Sequence, residues 1–168
     1  MLRNIVLCIT LLVCITGCSH INTKENTKGT MSGFVVQKDL DSNSSLIVSD
    51  TKTSSKNNNK IYEAAWISGI GDKTNIGEKV TIETTAFSLM SYPKQTSGEF
   101  LSKEKFEKPE GAILEPEEVL KKVFEQKNDK VPSVEKISFD KEKKIWNITI
   151  YDNIKFTTTE ITIEDQRS

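Results

Sequence analysis

Cysteine and histidine are almost missing from this sequence of 168 residues. The three cysteines are Cys8, Cys14 and Cys18, and the single histidine, His20, lies close behind them. Every later position therefore lacks a thiol and an imidazole, which excludes disulfides, Ser-His-Asp and Cys-His nucleophiles, and zinc sites built from these ligands. We therefore expect no catalytic residue, no metal site and no bound cofactor, and we predict that the protein is not an enzyme.

An excess of positive charge is also absent. The chain has 23 lysines and arginines against 24 aspartates and glutamates, which gives a formal net charge of −1. Proteins that bind nucleic acid need a basic surface that displaces counterions from the phosphates. The composition therefore argues against a nucleic-acid partner.

A long hydrophobic run is missing as well, although a short one lies near the start of the chain. After the cation Arg3, residues 5–16 are apolar apart from Thr10 and Thr16. A helix of this length spans only about 18 Å, whereas the hydrocarbon core of a bilayer is about 30 Å thick. A cation followed by a short apolar stretch is typical of a secretory signal peptide, which we predict over residues 1–17.

The signal peptide leads into Ile15-Thr16-Gly17-Cys18, which resembles the lipobox of bacterial lipoproteins. The resemblance implies a diacylglyceryl group on the Cys18 thiol and cleavage between Gly17 and Cys18. Each buried methylene contributes about 0.8 kcal/mol, and two acyl chains give durable attachment where one chain binds reversibly. We therefore expect a lipid-anchored protein at the extracytoplasmic face of the cell membrane, with the bilayer as a partner. A secretory signal that releases a soluble protein is the alternative.

Beyond a polar tether over residues 18–30, short β-branched and aromatic runs are separated by turn residues. The predicted strands are residues 33–38, 45–49, 61–68, 78–84 and 86–89. Residues 50–60 are too polar to pack and are predicted as an exposed loop. Five short strands are too few for a sandwich with two full faces. We therefore predict a small antiparallel β-barrel of the OB or SH3-like kind over residues 31–98.

Five blocks of this module occur in a fairly specific order and spacing. They are Gly33-Phe34-Val35-Val36, Leu46-Ile47-Val48, Glu63-Ala64-Ala65-Trp66-Ile67-Ser68, Ile76-Gly77-Glu78-Lys79-Val80 and Ser91-Tyr92-Pro93-Lys94-Gln95. In this arrangement they resemble the YobA-type small lipoproteins of Gram-positive bacteria, a domain family of unknown function. The resemblance covers residues 31–98 and implies no activity.

The segment after the barrel module is charged and contains both proline and glycine, and we interpret residues 99–115 as a linker. A helix is predicted over residues 116–127, where an apolar stripe has the helical period. Pro116 suits the first helical position, and Glu117 and Glu118 face the positive end of the helix dipole.

Three strand-like runs follow the helix: residues 134–140, 144–151 and 155–164. Trp146, Ile148 and Ile150 alternate as in an antiparallel sheet with one buried face. We therefore predict a helix on a three-stranded sheet over residues 116–168, which loosely resembles PepSY-like modules of exported bacterial proteins over residues 116–164. The predicted fold class is α+β, with the barrel followed by this helix-plus-sheet module.

Three residues of the barrel module are candidates for a binding surface: Trp66, Tyr92 and Pro93. An exposed aromatic side chain on a small barrel offers a stacking platform for a sugar or a peptide. The alternative is structural, with Trp66 in the core and Tyr92-Pro93 in a rigid turn that allows a cis bond. We expect a non-catalytic binding or regulatory role toward envelope proteins or wall polymers.

A small envelope hydrolase is the alternative from another class. Ser91 and Lys94 lie close in sequence, but the lysine needs burial to act as a base at neutral pH. Carboxylates are the other possibility: Glu110, Glu115, Glu117 and Glu118. A catalytic pair needs a cleft that sets its separation, whereas complementation of the helix dipole explains these glutamates without one.

Overall fold

The computed structural model describes residues 28–53, 59–85, 91–126 and 130–167 of the chain. The predicted signal peptide, the predicted lipid-attachment residue Cys18 and the predicted strand 86–89 lie outside the described residues. Within the described ranges, eight strands and one helix are built around two hydrophobic clusters.

Five strands form a closed barrel: β1 (Gly29–Asp39), β2 (Ser44–Thr53), β3 (Ile61–Ser68), β4 (Lys79–Thr84) and β5 (Lys94–Glu104). Their order around the barrel is β1-β2-β3-β5-β4, and β4 pairs with β1 to close it. Neighbouring strands are antiparallel except β3 and β5, which run parallel between the Ala65–Lys94 and Ser68–Ser97 pairs. Because the wall closes, each strand of the barrel is paired with two neighbours.

The barrel interior is filled by the smaller of the two clusters. Its buried members are Met31, Val35, Ile47, Ala65, Ile67, Ile70, Val80 and Ile82. Apart from Ile70, which follows β3, these residues alternate along β1 to β4 with residues that point outward, as the pleat of a strand requires. The interior is therefore a packed core.

The rest of the described chain forms α1 (Pro116–Gln126), β6 (Pro132–Asp140), β7 (Ile145–Asp152) and β8 (Thr157–Glu164). The three strands make an antiparallel sheet in the order β6-β7-β8. The helix begins at Pro116, as predicted. The Glu118 carboxylate accepts a hydrogen bond from the backbone N–H of Glu115 at 2.8 Å and so caps the first turn.

The outer face of β1, β2 and β3 is buried as well as the inner face. Phe34, Leu46 and Tyr62 on this outer face belong to the same hydrophobic cluster as Leu120 of α1 and Trp146 of β7. Strands that are covered on both faces carry continuous apolar runs, whereas strands with one wet face alternate. The helix and the three-stranded sheet therefore pack onto one side of the barrel.

The predicted α+β fold class is wrong. The described residues are mostly strand with a single helix of 11 residues, and the five-stranded sheet is mixed instead of antiparallel. No separate helix-plus-sheet module forms among them, because α1 packs into a cluster that the barrel shares. The strand β5 includes residues 99–104 of the predicted linker. Residues 99–104 form a strand through pairing with β4, a tertiary contact that overrides local propensity.

Candidate functional site

The described surface has a groove of about 310 Å³ where β1 and β3 end and β2 and β5 begin. We call it the Trp66 groove. One indole, three serines, one threonine, one amide and one carboxylate line it: Trp66, Ser42, Ser44, Ser68, Thr96, Gln95 and Asp39. The lining thus combines an apolar ring with groups that donate and accept hydrogen bonds.

The position of Trp66 follows from the pleat of β3. Ala65 and Ile67 point into the barrel and are fully buried, so Trp66 between them points outward. The indole is partly buried because it packs against the larger hydrophobic cluster, and it also lines the groove. The core interpretation of Trp66 and the binding-surface interpretation therefore both apply in part. The indole is anchored in the core and also borders a cavity.

Gln95 faces Trp66 directly across the parallel pair of β3 and β5. Its side chain is exposed, and its amide makes no hydrogen bond to another described residue. A side-chain amide offers two donors and one acceptor. Gln95 therefore has its full hydrogen-bonding capacity available beside the indole.

Asp39 is the charged side chain among the lining residues that the structure describes. Its Oδ2 accepts a hydrogen bond from the Ser42 hydroxyl at 2.7 Å, and its Oδ1 accepts from the backbone N–H of Asp41 at 3.1 Å and of Ser42 at 3.4 Å. The hydrogen bond from the Ser42 hydroxyl, followed by those from the backbone, lowers the pKa of Asp39 from its ordinary value. The groove therefore carries a negative charge at neutral pH.

Tyr92 and Pro93, the other two predicted binding residues, lie just before β5 and do not contribute to the groove lining described above. The peptide bond between them is cis. The Tyr92 hydroxyl donates a hydrogen bond to the backbone carbonyl oxygen of Tyr62 at 2.9 Å. Burial raises the pKa of Tyr92, and the nearby Tyr151 and Asp152 raise it further. The structure thus separates Trp66 from the other two candidates.

The three tyrosines of the sequence converge where the barrel meets the three-stranded sheet. The rings of Tyr62 and Tyr151 lie 5.6 Å apart, and Tyr92 binds the backbone of Tyr62. The Tyr62 hydroxyl donates to the Glu135 carboxylate at 2.7 Å, which together with burial, the larger cause, raises the pKa of Tyr62. The backbone N–H of Tyr62 donates to the Asn153 side chain at 2.9 Å. We interpret this tyrosine cluster as a polar link between the two sheets.

Three residues of the hydrolase alternative, Lys94, Glu110 and Glu118, make ion-pair or capping contacts in the structure. Lys94 Nζ lies 2.7 Å from a Glu63 carboxylate oxygen, and a third of the Lys94 side chain is exposed, so it is not a buried base beside Ser91. Glu118 caps the helix, and Glu110 lies 3.2 Å from Lys141 at an almost fully exposed position. These contacts are those of surface and capping residues.

Neither a metal site nor a membrane-spanning helix is found in the part of the chain that the structure describes. Across those ranges, no three His, Cys, Asp or Glu side chains are placed to hold a metal ion. No helix there has the length and apolar character that crossing a bilayer requires.

Comparison of the chain with family models, with curated proteins and with solved structures found no match.

Proposed function

We propose that the chain is a lipid-anchored, exported lipoprotein that acts as a non-catalytic binding module at the cell envelope. The observation that carries the proposal is the Trp66 groove, in which an anchored indole borders exposed polar groups. Small-ligand sites combine apolar surface with a few polar groups in this way. Membership of the YobA-type family over residues 31–98 is part of the proposal and adds no activity to it.

The location in the proposal depends on Ile15-Thr16-Gly17-Cys18. A diacylglyceryl group on Cys18 would keep the Trp66 groove near the outer face of the membrane. Wall polymers and envelope proteins are the partners within reach there. Labelled palmitate tests the anchor, because the chain should take up label and its Cys18→Ala variant should not.

Binding is tested with the mature lipidated chain in detergent micelles, sedimented with cell walls or cross-linked in membranes of Gram-positive bacteria. We expect specific retention that Trp66→Ala weakens at least about tenfold, which corresponds to the loss of about 1.4 kcal/mol. Tyr92→Phe is the matched control, because it removes one hydroxyl from the other predicted candidate and leaves the groove lining intact.

Two results would contradict the proposal. One is that neither walls nor any membrane protein retains the chain above the level of an unrelated lipoprotein. The other is that the Trp66→Ala and Tyr92→Phe variants are retained as well as the unmodified chain, since the ligand would then bind elsewhere.

A further inference from the structure

We infer that the Trp66 groove binds an uncharged, hydroxyl-rich sugar unit of a glycan chain. The inference rests on the proposed binding function and adds the chemical class of the ligand. Three observations carry it: the anchored indole, the available hydrogen-bonding capacity around it, and the lack of a cation in the described lining.

The indole and the size of the groove suit a sugar ring. A pyranose has a face of C–H groups that stacks on an aromatic ring and a rim of hydroxyls that need hydrogen bonds. Trp66 is held on one side by the hydrophobic cluster, so little order is lost when a ring stacks on it. The volume of about 310 Å³ lies at the lower end of the range for small-ligand sites, which suits a short segment of a chain.

The polar lining has the capacity that hydroxyl groups use. The Gln95 amide opposite Trp66 has no partner among the described residues, and it can donate to one hydroxyl while accepting from another. An ionised carboxylate has about four lone-pair sites. Three hydrogen bonds from Ser42 and Asp41 reach Asp39, which leaves acceptor capacity for a donor from the ligand.

An anionic polymer is a poor fit to the same groove. Sites for phosphate or carboxylate ligands use arginine, lysine or clustered backbone N–H groups. The described lining contains Asp39 and neither lysine nor arginine. Lys38, next to Asp39, donates to the Thr74 carbonyl oxygen at 2.5 Å, and Lys94, next to Gln95, pairs with Glu63 at 2.7 Å. The charge at the groove would therefore repel a phosphate-rich chain.

A peptide added as an extra strand is a poor fit as well. Strand addition needs a free row of backbone N–H and C=O groups at a sheet edge. At the groove, β3 is paired with β2 on one side and with residues 94–97 of β5 on the other, whereas β4 pairs with β5 only from Gly98 onward. β3 therefore has no free edge at the groove, and a ligand there meets side chains.

The test uses the mature lipidated chain in detergent micelles and three probes. These are isolated walls, the same walls after hydrofluoric acid has removed their phosphodiester-linked polymers, and a soluble tetramer of β-1,4-linked N-acetylglucosamine. We expect wall binding to change less than about twofold after the acid treatment, because glycan strands remain. The tetramer should shift the tryptophan emission through Trp66, since Trp146 is only 1% exposed.

One variant tests the groove and a second serves as its control, and neither changes a core residue. Gln95→Ala should weaken tetramer binding about 2- to 10-fold, the effect of one or two hydrogen bonds to a neutral ligand, measured by calorimetry. Gln126→Ala is the matched control, because Gln126 is exposed at the end of α1 and lies outside the groove lining. Circular dichroism verifies that both variants fold.

Different failures separate the inference from the function on which it rests. Loss of Trp66-dependent wall binding after the acid treatment would identify an anionic polymer and overturn the inference, while the binding function stands. Retained wall binding without any effect of the tetramer, or equal behaviour of the two glutamine variants, would also overturn it. Absence of binding to walls and membranes alike would contradict the binding function itself.

Discussion

The two sides of the barrel wall are built from the same kind of strand but differ in what covers them. On the side of β1, β2 and β3 the outward residues are buried, as Leu46 shows with 1% of its surface exposed. On the side of β4 and β5 the outward residues meet solvent, as Leu101 shows with 52%. Both leucines lie in strands of one closed sheet. The difference therefore comes from the helix and the second sheet, which cover one side only.

This difference can be read in the pattern of apolar residues. β1 and β2 each contain three consecutive apolar residues, whereas β4 alternates between buried and partly exposed positions. In a strand that pairs in antiparallel fashion, as β1 and β2 do, a continuous apolar run indicates that both faces are covered. The apolar pattern of a strand thus predicts the strand itself and also indicates whether another element covers its outer face.

The same substitution on the two sides gives the largest predicted contrast. Leu46→Ala should lower the free energy of unfolding by about 3–5 kcal/mol, because it leaves a cavity between the barrel and its covering elements. Leu101→Ala should change it by less than about 0.5 kcal/mol, because the side chain is already half in water. Urea unfolding measures both values. Equal losses would mean that the covering elements add no packing to the barrel.

A second contrast concerns how closely α1 approaches the barrel. Gly77 and Gly111 both have positive φ, at 93° and 83°. A Cβ at Gly77 would overlap the carbonyl oxygen of Glu117 in the first turn of α1, whereas one at Gly111 would lie 3.4 Å from the flexible end of Lys141. Gly111→Ala should therefore cost about 1 kcal/mol of backbone strain, and Gly77→Ala about 2–4 kcal/mol, because overpacking adds to the strain.

The outcome for these two variants tests the contact itself. Equal losses of unfolding free energy in urea would contradict the close approach of α1 to the turn before β4. A loss at Gly77 that clearly exceeds the loss at Gly111 would support it.

The sequence predicts the elements that local signals define, and it fails for those that depend on contacts distant in the chain. The limits of β3, 61–68, and the start of the helix at Pro116 are predicted correctly, because local signals define them. β5 is not predicted as a strand, and its residues 99–104 are assigned to the linker, because its partners in β3 and β4 are not adjacent to it in the chain. The sequence leaves open whether the barrel shares a core with the later elements, although the apolar runs of β1 and β2 indicate a covered outer face.

The candidate site can likewise be predicted only in part from the sequence. Trp66 can be selected from the sequence, because a tryptophan in a strand of a small barrel must either fill the core or border solvent. Asp39, Ser42 and Gln95 cannot, because the pairing of β1 with β2, of β2 with β3 and of β3 with β5 brings them beside Trp66. The tyrosine cluster is similarly non-local, since 73 positions separate Tyr62 from Glu135.

Acid should loosen the covering side through Asp165. Its buried carboxylate accepts hydrogen bonds from the backbone N–H groups of Ile113 and Leu114 at 2.7 and 2.9 Å and from the Trp146 indole at 3.0 Å. Burial alone raises the pKa of Asp165, but these hydrogen bonds outweigh it and leave the pKa below its ordinary value. Because the unfolded carboxyl binds its proton at higher pH, stability should fall as the pH drops below about 4.

The Asp165→Asn variant isolates this effect. At pH 7 it should lose about 1–3 kcal/mol, the range for hydrogen bonds to a charged group. The deficit should shrink as the pH falls below about 4, because only the unmodified chain then loses its carboxylate. Unfolding curves between pH 7 and pH 3 measure the difference. Asp41→Asn, at an exposed position, is the control and should keep the unmodified profile.

The smallest predicted difference in unfolding free energy is between two hydroxyls of the tyrosine cluster. The Tyr62 hydroxyl joins the barrel to the covering sheet, and the Tyr92 hydroxyl binds within the barrel. Tyr62→Phe removes the hydrogen bond to Glu135 of β6, which keeps Lys60 as a partner at 3.1 Å. Tyr92→Phe removes the bond to the Tyr62 carbonyl oxygen. A bond to a carboxylate is stronger than one to a neutral carbonyl, so we expect losses of about 1.5 and 0.5 kcal/mol in urea unfolding. A larger loss for Tyr92→Phe would mean that the cluster stabilises the barrel more than its attachment to the second sheet.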